Sequence, residues 1–178
     1  LGFIDDIVIE QGTKHRGWVE IGEASTHTVK MPYIVINGAK KGKTLTILGG
    51  VHAVECAPVE AIFRLADSID PAEVSGTLIL VPIVNTEGFH ARKPYHNILD
   101  HLNQNKVFPG DAEASITKRV AYHVFDKFVS KSDALIDAHS ADIGEDVTRG
   151  IYIYKTENMN IYGKMLELAG CYRSALIE

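Results

Sequence analysis

Apolar and polar positions alternate in short runs over the first forty residues, as in Gly17-Trp18-Val19-Glu20-Ile21, with the period of half-buried strands. A second run at 31–36 is closed by the turn pair Asn37-Gly38, and 39–43 reads as a basic, glycine-containing loop. The β-branched, apolar stretch 44–48 predicts a strand that ends in Gly49-Gly50. A helix is expected from about Pro58, a residue suited to a first turn. Its apolar face is Val59, Ile62, Phe63, Ala66 and Ile69. Residues 77–84 read as a buried strand, whereas 85–110 sustain neither period. Loops of that length inside a domain are usually functional.

Ile116, Val120, Val124 and Phe128 carry the next amphipathic helix, over 116–128. Buried strands are expected at 134–138 and 151–154, then a helix over 160–168 ended by Gly170, then a strand over 171–177. Strands alternating with helices predict an α/β fold with helices on the faces of a sheet. Residues 1–30 form a β-rich lead-in and 31–178 the α/β domain. There is no internal repeat.

Composition narrows the classes of function. The chain has 178 residues, 46% hydrophobic and 23% charged, enough for one sizeable core and too apolar for disorder. Its 18 basic residues are outnumbered by 23 acidic ones and form no long cluster, so no nucleic-acid partner is expected. The longest uncharged apolar stretch, 78–84, falls far short of the roughly 20 residues that span a bilayer, so no membrane partner is expected either. Cys56 and Cys171 lie far apart without CxxC spacing, and no signal peptide leads the chain. Reduced thiols in a cytoplasmic protein are the expectation.

The most informative segment is the end of the 44–48 strand, GGVHAVE. His52 and Glu55, three residues apart in a strand-to-helix turn, can point at one centre. Zinc accepts imidazole nitrogen and carboxylate oxygen, and a catalytic zinc needs three protein ligands plus water. A turn histidine and a helix N-terminal acid would account for the pair without a metal. His139, in Asp137-Ala138-His139-Ser140, also sits where a strand runs out, and ligands of open α/β sheets collect at such ends. Asn105 and Lys106 offer an amide donor and a cation for a carboxylate or a developing oxyanion. Their plain structural reading is a polar turn before Pro109-Gly110. A thiol hydrolase built on Cys56 and His139 is a further reading, against which Cys56 serves as a small packing residue.

The segments GGVHAVE, NQNKVFPGD and IDAHS, in this order and separation, resemble the succinylglutamate desuccinylase/aspartoacylase family, part of the wider group of zinc carboxypeptidase-like hydrolases. The resemblance runs from about 31 to 154. It implies a mixed central β-sheet flanked by helices, and one Zn2+ per chain held by His52, Glu55 and His139. It gives Asn105 the carboxylate end of the substrate and Asn103 the support of the first metal histidine, and Asp137 has a similar supporting position. Lys106 stands where the family usually has arginine, keeping the charge and losing the planar fork. Arg92 is a loose counterpart of a further family arginine, and Arg149, after the last ligand strand, is an additional cation for the substrate.

Members of the family use a glutamate, on a strand well beyond the last zinc histidine, to take the proton of the attacking water. After Tyr154 the acids are Glu157, Glu167 and Glu178, of which only Glu178 ends an expected strand, and that strand comes too early. The general base is therefore not expected in this chain. The chain, which begins at Leu1, is expected to be the zinc half of a longer enzyme, ending before a small C-terminal β domain. The implied activity is zinc-dependent hydrolysis of the amide bond of an N-acyl amino acid or related small amine. The alternative, motivated by Lys106 and the missing base, is a metal- or ligand-binding module without efficient catalysis. The sequence leaves open a homo-oligomer.

Overall fold

In the computed structural model, which describes residues 2–4, 7–172 and 175–177, the chain opens with the paired strands β1 (Gly2–Ile4) and β2 (Ile7–Ile9). The alternating segments that follow become β3 (Thr13–Glu23) and β4 (Thr28–Asn37), an antiparallel pair with a bulge between Glu20 and Gly22. Three more strands complete the sheet: β5 (Lys40–Leu48), β6 (Ser75–Val81) and β7 (Ala134–Asp137). The order is β3-β4-β6-β5-β7; β5 runs parallel to both β6 and β7, and β4 antiparallel to β6. The sheet is thus mixed, as the family resemblance implies.

Helix α1 (Cys56–Ser68) joins β5 to β6, and α2 (Thr86–Ala91) and α3 (Ile116–Lys127) lie between β6 and β7. The period of two in the strands sorts side chains onto opposite faces. Met31, Tyr33 and Val35 of β4 and Ile79 and Val81 of β6 pack with Val120, Val124 and Phe128. The alternate residues Ile34, Ile36 and Leu80 pack with Ile62 and Ala66 of α1. Helix α3 thus packs on one face and α1 on the other, and each fully buried aliphatic side chain contributes roughly 1.5–3 kcal/mol.

Several expectations are corrected. Strand β5 starts at Lys40, inside the expected loop 39–43, because Lys40 pairs with Ser75 before the register shifts to Thr44 opposite Thr77. Gly76 makes that close pairing feasible: at φ +99°, a Cβ there would meet the Lys43 carbonyl oxygen. Helix α1 begins at Cys56, two residues before Pro58. The short α2 lies inside the segment without period, since six residues are too few to display one; Asn85 caps it, its Oδ1 accepting from the Gly88 N–H at 3.0 Å. Strand β7 is half-buried, with Leu135 41% exposed, because it is the edge strand of the sheet.

The chain divides into two units, Leu1–Ile143 and Gly144–Glu178. The second contains β8 (Gly150–Tyr152) and β9 (Ala175–Ile177), paired in parallel, and α4 (Met159–Gly170), capped by the Asn158 side chain. Its small core is Ile153, Tyr162 and Ala169. Tyr152 and Tyr154 are exposed, so the expected buried strand at 151–154 is a shorter and half-open one. No helix among the described residues is long and apolar enough to cross a membrane.

Candidate metal centre

The chain leaves β5 through Gly49-Gly50, a tight turn that favours glycine. Gly50 has φ +59°, and a Cβ on it would lie 3.1 Å from the Ile83 Cα. The turn is pinned to the end of β6 by Val84 N–H donating to the Gly49 carbonyl at 3.0 Å and Asn85 N–H to the Gly50 carbonyl at 2.9 Å. His52 follows, and Glu55 stands immediately before α1. On the neighbouring strand, Asp137 pairs with Leu48, and Ala138 N–H donates to the Leu48 carbonyl at 2.9 Å. His139 is thereby delivered beside His52 at the carboxyl ends of adjacent parallel strands.

The Glu55 carboxylate lies between the two rings. Its Oε1 is 2.8 Å from His52 Nδ1, and its Oε2 is 2.9 Å from His139 Nδ1 and accepts from the Ser140 N–H at 3.0 Å. The far nitrogens are held as well: His52 Nε2 is 3.3 Å from Asn103 Oδ1, and His139 Nε2 is 3.2 Å from an Asp137 carboxylate oxygen. Each imidazole is therefore oriented by an acceptor on its Nε2 side, with Nδ1 turned to a shared centre. One ligand atom from each of His52, Glu55 and His139 lies within 4.8 Å of the others. Two imidazoles and a carboxylate are a donor set that zinc accepts, and the acceptors behind both rings fit that use.

Electrostatics follow from the same contacts. Burial alone would raise the Glu55 carboxyl, but hydrogen bonds from His139, His52 and the Ser140 N–H outweigh it and hold the group at about 2. His139 is pushed up to about 10 by its hydrogen bonds to Asp137 and Glu55, against the opposing effect of burial. Without a metal the cluster holds an imidazolium between carboxylates. A metal cation would take the place of that positive charge.

Asn103 belongs to a loop wound by three non-glycine residues in the left-handed region, Arg92, Tyr95 and His101. Buried Asn97 closes the loop: its N–H donates to the Leu102 carbonyl at 3.0 Å, and its Nδ2 donates to Asn85 Oδ1 at 3.3 Å. Asp100 ties it to the start of α3, accepting from the Thr117 N–H at 2.9 Å and from the Thr117 hydroxyl. A short helical turn, Gln104–Lys106, follows; Asn103 caps it by accepting the Asn105 N–H at 2.9 Å, while buried Gln104 donates to the Thr117 carbonyl at 3.1 Å. Asn103 Oδ1 thus connects His52 to the turn that carries Asn105 and Lys106, both exposed.

The structure brings together His52, Glu55, His139, Asn103 and Asp137. Glu55 does stand at the N-terminus of α1, but it makes no side-chain cap there, and its carboxylate is bonded instead to His52, His139 and the Ser140 N–H. Arg92 ends α2 at the surface, Arg149 belongs to the second unit, and Glu178 lies outside the described residues. The Cys56–His139 pair does not form, since His139 turns both ring nitrogens to Glu55 and Asp137, and Cys56 is exposed rather than the packing residue expected of it. Two contributors escape sequence reasoning. Ser140 acts through its backbone N–H, which any residue has. Tyr95 sets its ring 5.0 Å from that of His52 at 74°, from a loop without period.

Comparison with known proteins identifies the family. Residues 41–172 match the family model of the succinylglutamate desuccinylase/aspartoacylase catalytic domain. The chain is 30% identical over 118 residues to N-alpha-acetyl-L-2,4-diaminobutyric acid deacetylase of Halomonas elongata, covering 66% of this chain and 34% of that enzyme. In fold it is similar to an aspartoacylase family protein from Mesorhizobium loti, with TM-score 0.82 and 22% identity over 93% of this chain and 53% of the other. It is likewise similar to a succinylglutamate desuccinylase/aspartoacylase from Rhodobacter sphaeroides, with TM-score 0.83 and 24% identity over 92% and 51%. The chain spans about a third to a half of the length of these relatives. The extent of the family match, over a segment that contains every residue of the His-Glu-His cluster, leads to one conclusion: this chain belongs to the succinylglutamate desuccinylase/aspartoacylase family, a family of deacylases.

Proposed function

We propose that this chain supplies the metal-holding part of a zinc-dependent deacylase that hydrolyses the amide bond of an N-acyl amino acid or a similar small acylated amine. The observation that carries the reading is the convergence of His52 Nδ1, His139 Nδ1 and the Glu55 carboxylate, with Asn103 and Asp137 behind the rings. The substrate class is supported by the deacetylase relative, whose name specifies an N-acetylated amino acid.

His52, Glu55 and His139 would hold the ion. When bound, zinc supplies a Lewis acid for the scissile carbonyl and lowers the pKa of water. Asn103 and Asp137 fix the ring orientations by accepting from the far nitrogens. Asn105 and Lys106, on the adjoining turn, bind the anionic end of the substrate: the amide donates hydrogen bonds and the ammonium supplies charge. Lysine provides that charge as a point, without the bidentate fork of arginine, and so constrains the carboxylate less. No described residue is assigned as the proton acceptor for the attacking water.

Elemental mass spectrometry of the purified chain tests the reading. About one zinc per chain is expected in the wild type and little in His139→Ala. Equal zinc in both, or none in the wild type after zinc is supplied, overturns it.

A further inference from the structure

The sheet edge opposite β7 is formed by β3, and among the described residues β4 is the only strand paired with it. Trp18, the single tryptophan of the chain, stands in the middle of that edge with 63% of its surface exposed. An open edge strand carrying a large apolar side chain is a template for pairing with another chain.

The direction of the backbone groups along β3 follows from its ladder. Beyond the bulge, Ala24 N–H donates to the His27 carbonyl at 2.8 Å, and bonded pairs alternate along an antiparallel ladder. Counting along β4 by twos from His27, the residues bonded to β3 include Val29, Met31, Tyr33 and Val35. Lys30, Pro32 and Ile34 are not bonded to β3, in keeping with the missing N–H of proline. Their partners on β3 are Glu20, Trp18 and Arg16. These three therefore direct N–H and C=O to the open edge, and their side chains share one face.

We infer that β3 is a dimer interface, pairing antiparallel with β3 of a second copy about a two-fold axis at Trp18. The charges suit this register. With Trp18 opposite Trp18, Arg16 of each copy faces Glu20 of the other. Sliding by two residues in either direction takes Arg16 away from Glu20, and sliding by four sets Arg16 against Arg16 or Glu20 against Glu20, where like charges directly opposite are destabilising. The bulge after Glu20 turns the backbone groups back toward β4 and confines the pairing to 16–20. Within its own copy Arg16 pairs with Asp67 and Glu20 with Lys30, both exposed contacts of small value that leave the side chains able to reach across. A groove lined by Pro32, Phe63 and Ile83 flanks Trp18 and offers apolar surface to the neighbouring indole.

Sedimentation velocity with tryptophan emission tests this on the purified chain. At about 100 μM, where an interface with a micromolar Kd is nearly saturated, the wild type is expected to be a dimer with blue-shifted emission relative to dilute protein. Arg16→Glu and Glu20→Arg each set like charges opposite one another and are expected to be monomers with unchanged circular dichroism. An equimolar mixture of the two variants restores opposite charges at every pair and is expected to form a heterodimer. A monomeric wild type, single variants that dimerise as the wild type does, or a mixture that stays monomeric each overturns the proposal.

Discussion

The rings of His52 and His139 meet edge to face, centroids 4.9 Å apart at 60°, with the Glu55 carboxylate bonded to both. Residues far apart in the chain meet there because β5 and β7 are adjacent parallel strands that end together at Leu48 and Asp137.

Replacing Asn103 with alanine removes the acceptor behind His52 Nε2 and leaves the three ligand atoms in place. Zinc affinity is expected to fall about 10–100-fold, as is typical when such an orienting partner is lost. Competition with a chromophoric chelator measures it. An unchanged affinity would show that Asn103 serves only the turn it caps.

The cluster makes metal-free stability depend on pH. Glu55 is lowered from 4.5 to about 2, so its contribution is present above 4.5 and lost as pH falls through 2. His139 is raised from 6.5 to about 10, so its contribution is complete below 6.5 and lost as pH rises through 10. With a chelator present, the melting temperature is expected to be lower at about pH 9 than at about pH 6, and zinc should narrow that difference by replacing the proton. Thermal melts at the two pH values, with and without zinc, check both statements.

Lys106 is expected to govern binding of the carboxylate. Lys106→Ala should weaken binding of an N-acetyl amino acid to the zinc-loaded chain by about tenfold or more, the loss of one charge-assisted hydrogen bond. Lys106→Arg should strengthen binding by supplying the fork. Isothermal titration calorimetry distinguishes these outcomes; equal affinities in all three proteins would remove Lys106 from the site.

Asp100 holds the loop to α3 through both the N–H and the hydroxyl of Thr117, and its carboxyl is held below the usual range by these bonds despite the opposing effect of burial. Asp100→Ala should cost about 1–2 kcal/mol, the size of a lost helix cap. Urea denaturation gives the figure, and zinc titration of the same variant shows whether the loosened loop also releases Asn103.

How much could be read before folding differs from element to element. The long periodic segments, β3, β4, α1 and α3, declare themselves because burial of one face repeats at 2.0 or 3.6 residues. The short α2 and the left-handed turns at Arg92, Tyr95 and His101 do not, since their conformation is set by single contacts such as Asn85 to Asn97. His52, Glu55 and His139 are legible as ligand types at strand ends, and Asn103 and Asp137 as their neighbours through family likeness.

What the sequence determined by itself is the alternation of elements, the residue types of the cluster and the family. Only the tertiary structure decided that β5 and β7 are neighbours, that both imidazoles present Nδ1 to Glu55, and that Tyr95 and the Ser140 N–H join them. The physical reason is that periodicity records which face of an element is buried, whereas the meeting of His52 with His139 depends on strand order, which no local pattern encodes.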